Sequence, residues 1–254
     1  MDVDLNSDVG ESFGAWTSGD DEALIPMVSS VNVACGFHAG DPLVIERTVE
    51  LAVRHGVAVG AHPGYPDLAG FGRRDLAMAP EELEAAIVYQ VGAVATFARA
   101  AGSELRHVKP HGALYNRAAL DVAIAEAVAR AVRRVSADLI LVGLAGSVSL
   151  EAGRAAGLAV AAEGFADRAY EPDGRLRSRR LAGAVHVDPA IAAAQAVGIV
   201  RDGRVTAHDG TTVALHADTI CLHGDTPGAP ALARAIRAAL EAAGIGVAAL
   251  RPTS

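Results

Sequence analysis

The sequence predicts an α/β protein of parallel strands joined by helical crossovers, and three observations predict it. Short apolar runs recur near residues 2–6, 30–35, 57–62, 105–110, 138–144, 158–163 and 219–223. Between them lie stretches with apolar residues at helical spacing. Nearly every run ends in polar residues, as do the carboxyl ends of parallel strands, where ligands bind. Strand and helix in alternation lead to a doubly wound sheet or a closed barrel.

Alternate strand residues face opposite sides, so each strand is read by parity. In the first, Asp2, Asp4, Asn6 and, by continuation, Asp8 share one face, opposite Val3 and Leu5. In the second, Asn32 faces away from Val31, Val33 and Cys35, which makes Cys35 structural rather than a nucleophile. The third sets Gly60 and His62 against Val59 and Ala61 and runs into loops dense in Gly and Pro, residues 60–67 and 70–74. Leu83, Ile87, Val91 and Val94 mark a helix over 81–101, and the fourth strand then aligns His107 and Lys109 with His111. Leu120, Ile124, Val128 and Val132 mark the next helix, and two further strands end at Glu163 and its neighbours. A turn at 171–174 opens an arginine-rich loop through Arg180, and Asp209 and Gly210 lie at the tip of a hairpin insertion near 203–218. The last strand aligns Thr219, Cys221, His223 and Asp225. With no repeat, low-complexity tract or linker, residues 1–254 read as one domain.

Composition narrows the function. The net charge of −8 and pI near 5.6 exclude a nucleic-acid partner, which would need clustered basic residues, and point to a small substrate. No run is long and apolar enough for a membrane span, the acidic amino terminus does not resemble a signal peptide, and two cysteines make no disulfide framework. The expected location is the cytoplasm. Nothing excludes a homo-oligomer.

Of the 22 Lys and Arg residues only one is Lys, Lys109, within the polar segment 107–116. A compact ammonium whose pKa falls on burial is what Arg cannot supply. Asp8, Glu11, Asn32, His38, Asp41, His62, Asp67, Lys109, His111, Glu163, Asp167, His223 and Asp225 are expected to converge at the strand ends. Asp8 and His62 in particular should face a solvated site. Arg73 and Arg74 could grip a carboxylate or phosphate. His55, His186, His208 and His216 lack polar company, and Asp20, Asp21, Glu22, Glu81, Glu82 and Glu84 answer helix dipoles. Neither a P-loop nor a Rossmann glycine motif is present.

Taken together, residues 4–11 (DLNSDVGE), 32–42 (NVACGFHAGDP), 60–67 (GAHPGYPD), 109–116 (KPHGALYN), 165–170 (FADRAY) and 223–227 (HGDTP) resemble the lactam-utilisation family, that of the A subunit of bacterial ATP-dependent 5-oxoprolinase. The resemblance implies a distorted seven-stranded β/α barrel similar to polysaccharide deacetylases. It also implies hydrolysis of 5-oxo-L-proline to L-glutamate with ATP cleavage, in company with B and C subunits. On that chemistry Asp8, His38 and His62 are candidates to activate water, and His111 to protonate the leaving nitrogen. Lys109 with Arg73 or Arg168 would neutralise phosphate. Asn6, Glu11, Asn32, Asp41, Arg74, Glu163, Asp167 and His223 complete the expected binding set. Mg²⁺ accompanying ATP would use Asp8 or Glu11. Two other readings stay open: a stand-alone metal-dependent amide or ester hydrolase with Asp8, His38 and His62 as ligands, and a non-catalytic lactam-binding subunit.

Overall fold

The computed structural model describes residues 1–251. Its strands in chain order are β1 (Asp2–Val9), β2 (Ser30–Ala34), β3 (Ala58–His62), β4 (Leu105–Val108), β5 (Ile140–Leu144), β6 (Ala159–Phe165), β7 (Arg204–Thr206), β8 (Thr212–Ala214), β9 (Thr219–His223) and β10 (Gly246–Val247). The helices are α1 (Asp21–Leu24), α2 (Pro42–Arg54), α3 (Pro80–Ala100), α4 (Gly112–Ala118), α5 (Val122–Val135), α6 (Val148–Ala155), α7 (Pro189–Asp202) and α8 (Ala229–Ala242). Strands β1 to β6 pair in sequence order, and β9 closes the ring by pairing with both β6 and β1, all in parallel. Of the two architectures the alternation allowed, the chain adopts the closed seven-stranded barrel. The antiparallel pair β7 and β8 stands outside it.

Parity sorts the side chains as the polar and apolar alternation requires. Leu5, Val31, Val33, Val59 and Ile220 belong to the apolar core, packed with Val49 of α2, Ile87 and Val91 of α3, and Ile236 of α8. The barrel interior is polar instead. Register sets Asp4 beside Thr219, Asn6 beside Ser30 and Cys221, and Asp8 beside both Asn32 and His223. Such groups are tolerable inside only if they satisfy one another. Ser30 and Thr219 hydroxyls donate to the Asp4 carboxyl, and Asn6 Nδ2 donates to Thr219 Oγ1 and Glu163 Oε1. The barrel also needs Gly60: a Cβ there would lie 2.1 Å from His107 Nε2, which donates to Asn32 Oδ1.

Several elements differ from the sequence reading. Strand β1 runs to Val9, because its polar end is an interior position rather than loop, and β6 runs to Phe165, where Gly164 and Phe165 still pair with Ile220 and Cys221 of β9. Leu120 is outside its expected helix and 57% exposed, since Asp121 caps α5 by accepting from the Ala123 and Ile124 amides. Strand β10, joined to the start of β1, is two residues long and too short to show alternation. No helix among the described residues is long and apolar enough to cross a membrane.

Candidate active site at the carboxyl end of the barrel

The carboxyl ends of the strands open into a cavity of about 620 Å³, lined among others by Asp8, His62, Lys109, His111, Tyr115, Phe165 and His223. Lys109 follows directly on β4, its amide still bonded to the Ala61 carbonyl, so its side chain keeps the inward parity of His107. Its Nζ lies 2.9 Å from Asp8 Oδ1, 2.9 Å from Glu163 Oε1, 3.0 Å from Cys221 Sγ and 3.4 Å from Asn6 Oδ1. This corrects the expectation of a depressed lysine. Burial favours the neutral amine, but Asp8, Cys221 and Glu163 outweigh it and raise the pKa well above normal. Lys109 is therefore a fixed cation. Burial likewise opposes ionisation of Asp8, but His62 and Lys109 hold its pKa well below normal.

Asp8 is 4% and His62 1% exposed, so neither faces open solvent as expected. His62 is pinned between the Lys109 carbonyl oxygen, 2.7 Å from Nδ1, and Asp8 Oδ2, 3.3 Å from Nε2. Its Nε2 also lies 3.0 Å from His111 Nδ1, whose ring partner Nε2 faces the Phe71 carbonyl oxygen at 2.8 Å. The His38 ring is stacked on His111 with centroids 3.7 Å apart, and neither of its nitrogens has a partner. Burial pushes the pKa of both His38 and His111 well below the usual imidazole value. Glu11 Oε1 sits 3.6 Å from His111 Nδ1 and 3.8 Å from His38 Nε2. Burial and then the nearby Asp8 charge raise its pKa well above the carboxylate range. The close packing of this floor depends on Gly72, where a Cβ would meet His111 and His38 at 2.7 and 2.8 Å.

Around the mouth the expected binding residues divide. Asn6 and Asn32 are below the floor, holding Asp8 and Glu163 in place. Asp167 accepts from the amide and ring of His223; burial opposes its ionisation, but His223 brings its pKa down to about 2. Arg168 lines the cavity while donating to the Ala184 and Arg177 carbonyls, and burial lowers its pKa to about 10. Arg73 pairs with Asp225 and packs over Phe71.

Three expectations need correction. Asp41 is not in the site: it caps α2 through the Leu43 and Val44 amides and accepts from the Gly14 amide. Asp67 turns away to accept from Arg74, so the Arg74 guanidinium is engaged by an internal carboxylate. His208 does have polar company, with Nε2 2.7 Å from Glu171 Oε2. Among the lining residues that sequence reasoning missed, two stand out. Tyr115 has a buried hydroxyl with no partner, and Arg179 shares Asp225 with Arg73. The helical spacing after His111 could have indicated Tyr115. For Arg179 the only local signal was its place in the arginine-rich loop through Arg180. Cys35 is buried and structural, as its parity indicated, and its thiol points to the Val33 carbonyl.

Known proteins resemble this chain along nearly its whole length. The 5-oxoprolinase A subunit of Methylococcus capsulatus is 60% identical over 248 residues, spanning 98% of this chain and 95% of that one. Its counterpart in Chloroflexus aggregans is 61% identical over 247 residues, spanning 97% and 98%. The crystal structure of a lactam utilization protein from Thermus thermophilus superposes with a TM-score of 0.93 at 52% identity, over 98% of this chain and all of that one. The pattern of the LamB/YcsF family matches residues 3–254, and this chain belongs to that family.

Proposed function

We propose that this chain is the A subunit of a cytoplasmic 5-oxoprolinase, hydrolysing the lactam of 5-oxo-L-proline to L-glutamate with ATP as co-substrate and B and C subunits as partners. The observation that carries this reading is near-complete mutual coverage, at 60% identity, with a relative named as the A subunit of 5-oxoprolinase. The chemistry of the cavity floor supports it. A lactam carbonyl is a poor electrophile until its oxygen carries compensating charge or a phosphoryl group. Lys109, buried and held charged, is placed to oppose negative charge on that oxygen or phosphate. His62 beside ionised Asp8 can take a proton from the attacking water, with Asp8 stabilising the imidazolium. His111 lies within 3.0 Å of His62, close enough to pass that proton toward the ring nitrogen as the C–N bond breaks. Arg168 and Arg73 at the mouth are assigned to the substrate carboxylate or the phosphate.

Asp8 and Glu11 do not fit a magnesium site. Asp8 Oδ1 is occupied by Lys109 and Asn32, and the remaining oxygens lie among imidazole nitrogens, whereas Mg²⁺ demands oxygen and water ligands. Mg²⁺ is therefore assigned to the nucleotide it enters with.

The test is glutamate release from 5-oxo-L-proline by the purified chain, alone and with its B and C subunits, with and without ATP. Release is expected only with all subunits and ATP. Robust ATP-independent release by the isolated chain would contradict this reading and favour a stand-alone hydrolase.

A further inference from the structure

The cavity floor has a fixed cation in Lys109 and a base in His62, but neither can give a proton to the substrate. Against burial, Asp8, Cys221 and Glu163 hold the Lys109 ammonium charged, and burial keeps the pKa of His38 and His111 well below the usual imidazole value. His38, His62, His107 and His111 are also buried. His223, at the end of β9, is the exception: its side chain is 13% exposed and lines the cavity.

A carboxylate fixes the orientation of this ring. Nδ1 lies 3.0 Å from each oxygen of Asp167, which is fully buried and ionised. A carboxylate oxygen only accepts, so Nδ1 carries hydrogen. Asp167 Oδ2 in turn accepts from the His223 amide at 3.0 Å and from the Thr226 hydroxyl at 3.1 Å. The Phe165 ring stacks on the imidazole, with centroids 5.5 Å apart. With Nδ1 turned to Asp167, Nε2 is the ring nitrogen left for the cavity, and no protein atom bonds it. A ring nitrogen of His223, an Asp8 oxygen and Cys221 Sγ lie within 4.8 Å of one another, and Asp8 and Cys221 also contact Lys109 Nζ. The imidazole and the ammonium therefore border the same part of the cavity. Asp167, Asp8 and Cys221 are the titratable groups facing the ring from neighbouring strands, with Arg179 acting on Asp167.

We propose that His223 is a further catalytic residue, the acid that gives a proton from Nε2 to the lactam oxygen, and that Asp167 positions it. This role rests on the lactam reading above. An ionised carboxylate on Nδ1 lets the ring hold a second proton at Nε2. As the water oxygen bonds to the carbonyl carbon, the C=O π pair takes that proton, and His223 becomes neutral with hydrogen still on Nδ1. As C=O re-forms and the C–N bond breaks, the proton returns to Nε2, while the departing nitrogen takes the proton that came from the water. Lys109 stabilises the same oxygen by charge without releasing a proton. Two rival roles make different predictions: a structural tie between the ends of β6 and β9, and a hydrogen-bond donor that never releases its proton.

The test uses the chain reconstituted with its B and C subunits. His223→Gln is expected to lower glutamate release roughly a hundredfold while KM for 5-oxo-L-proline changes less than about threefold. In Asp167→Asn the side-chain oxygen stays with the His223 amide and Thr226, so its NH₂ group faces Nδ1 and moves the ring hydrogen to Nε2. That ring still donates a hydrogen bond but cannot hold the second proton, and a similar loss, roughly a hundredfold, is expected. Turnover within about threefold of normal in either variant overturns the proposal. Nitrogen NMR of the isolated, unsubstituted chain depends on neither the lactam nor the folding of a variant. Nδ1 is expected to stay protonated while Nε2 gains and loses its proton across the pH range of turnover. An Nε2 that does not titrate, or an Nδ1 without hydrogen, overturns the proposal even in an active enzyme. No glutamate release by the unsubstituted, reconstituted enzyme would instead sink the lactam reading, and with it the lactam oxygen as the proton's acceptor, leaving the dyad to be judged by the NMR.

Discussion

Replacing Lys109 by Arg is expected to lower glutamate release by the reconstituted enzyme roughly a hundredfold, nearly as much as replacing it by Met. The ammonium is 2% exposed and is a point charge with Asp8 Oδ1, Glu163 Oε1, Cys221 Sγ and Asn6 Oδ1 around it. A planar guanidinium on a longer stem cannot occupy that position, although it keeps the charge. Lys109→Met should also lower the melting temperature, because two buried carboxylates lose their shared cation at a cost of about 3–5 kcal/mol. Lys109→Arg should restore part of that stability but little of the activity. Near-normal turnover with Arg would show that charge alone suffices and that the compact geometry has no catalytic role.

Asp8→Asn and His62→Ala should each reduce turnover by roughly two orders of magnitude, since each removes half of the pair assigned to water activation. Because both residues are buried, a loss of stability is expected as well, and turnover must be measured well below the melting temperature of each variant. Asp4→Asn is the informative control. Asp4 lies in the same barrel interior, one layer below Asn6, and burial raises its pKa. An amide at that position should change turnover by less than about threefold, since Asp4 is away from the cavity lining. If Asp4→Asn impaired turnover as strongly as Asp8→Asn, the effect of Asp8 would be loss of the polar interior as a whole.

The sequence carried the barrel strands and their inward face because period-two alternation is strict where one side meets helices and the other meets only polar partners. Asp4, Asn6, Asp8, His107, Lys109 and Cys221 were legible for that reason. The charge state of Lys109 was not, because it depends on Glu163 and Cys221, which lie more than fifty residues away in sequence and reach Nζ only once the barrel closes. Asp41 misled because Asp before Pro in a Gly-rich loop is equally the signature of a helix cap, and the cap is what forms. Arg74 misled for a related reason. Its loop supplies its own carboxylate, Asp67, which sequence cannot distinguish from one that waits for a ligand. The contact between the His62 and His111 rings was also beyond sequence, since it follows from which backbone carbonyls their outer nitrogens meet.

The most direct test of the central claim, that the lactam is opened on this cavity floor, is a crystal structure of the chain soaked with 5-oxo-L-proline. The account predicts the ligand inside the cavity, its ring carbonyl toward Lys109 and His62 and its carboxylate toward Arg168 and Arg73. Occupancy elsewhere on the protein, with the cavity empty at saturating ligand, would contradict it.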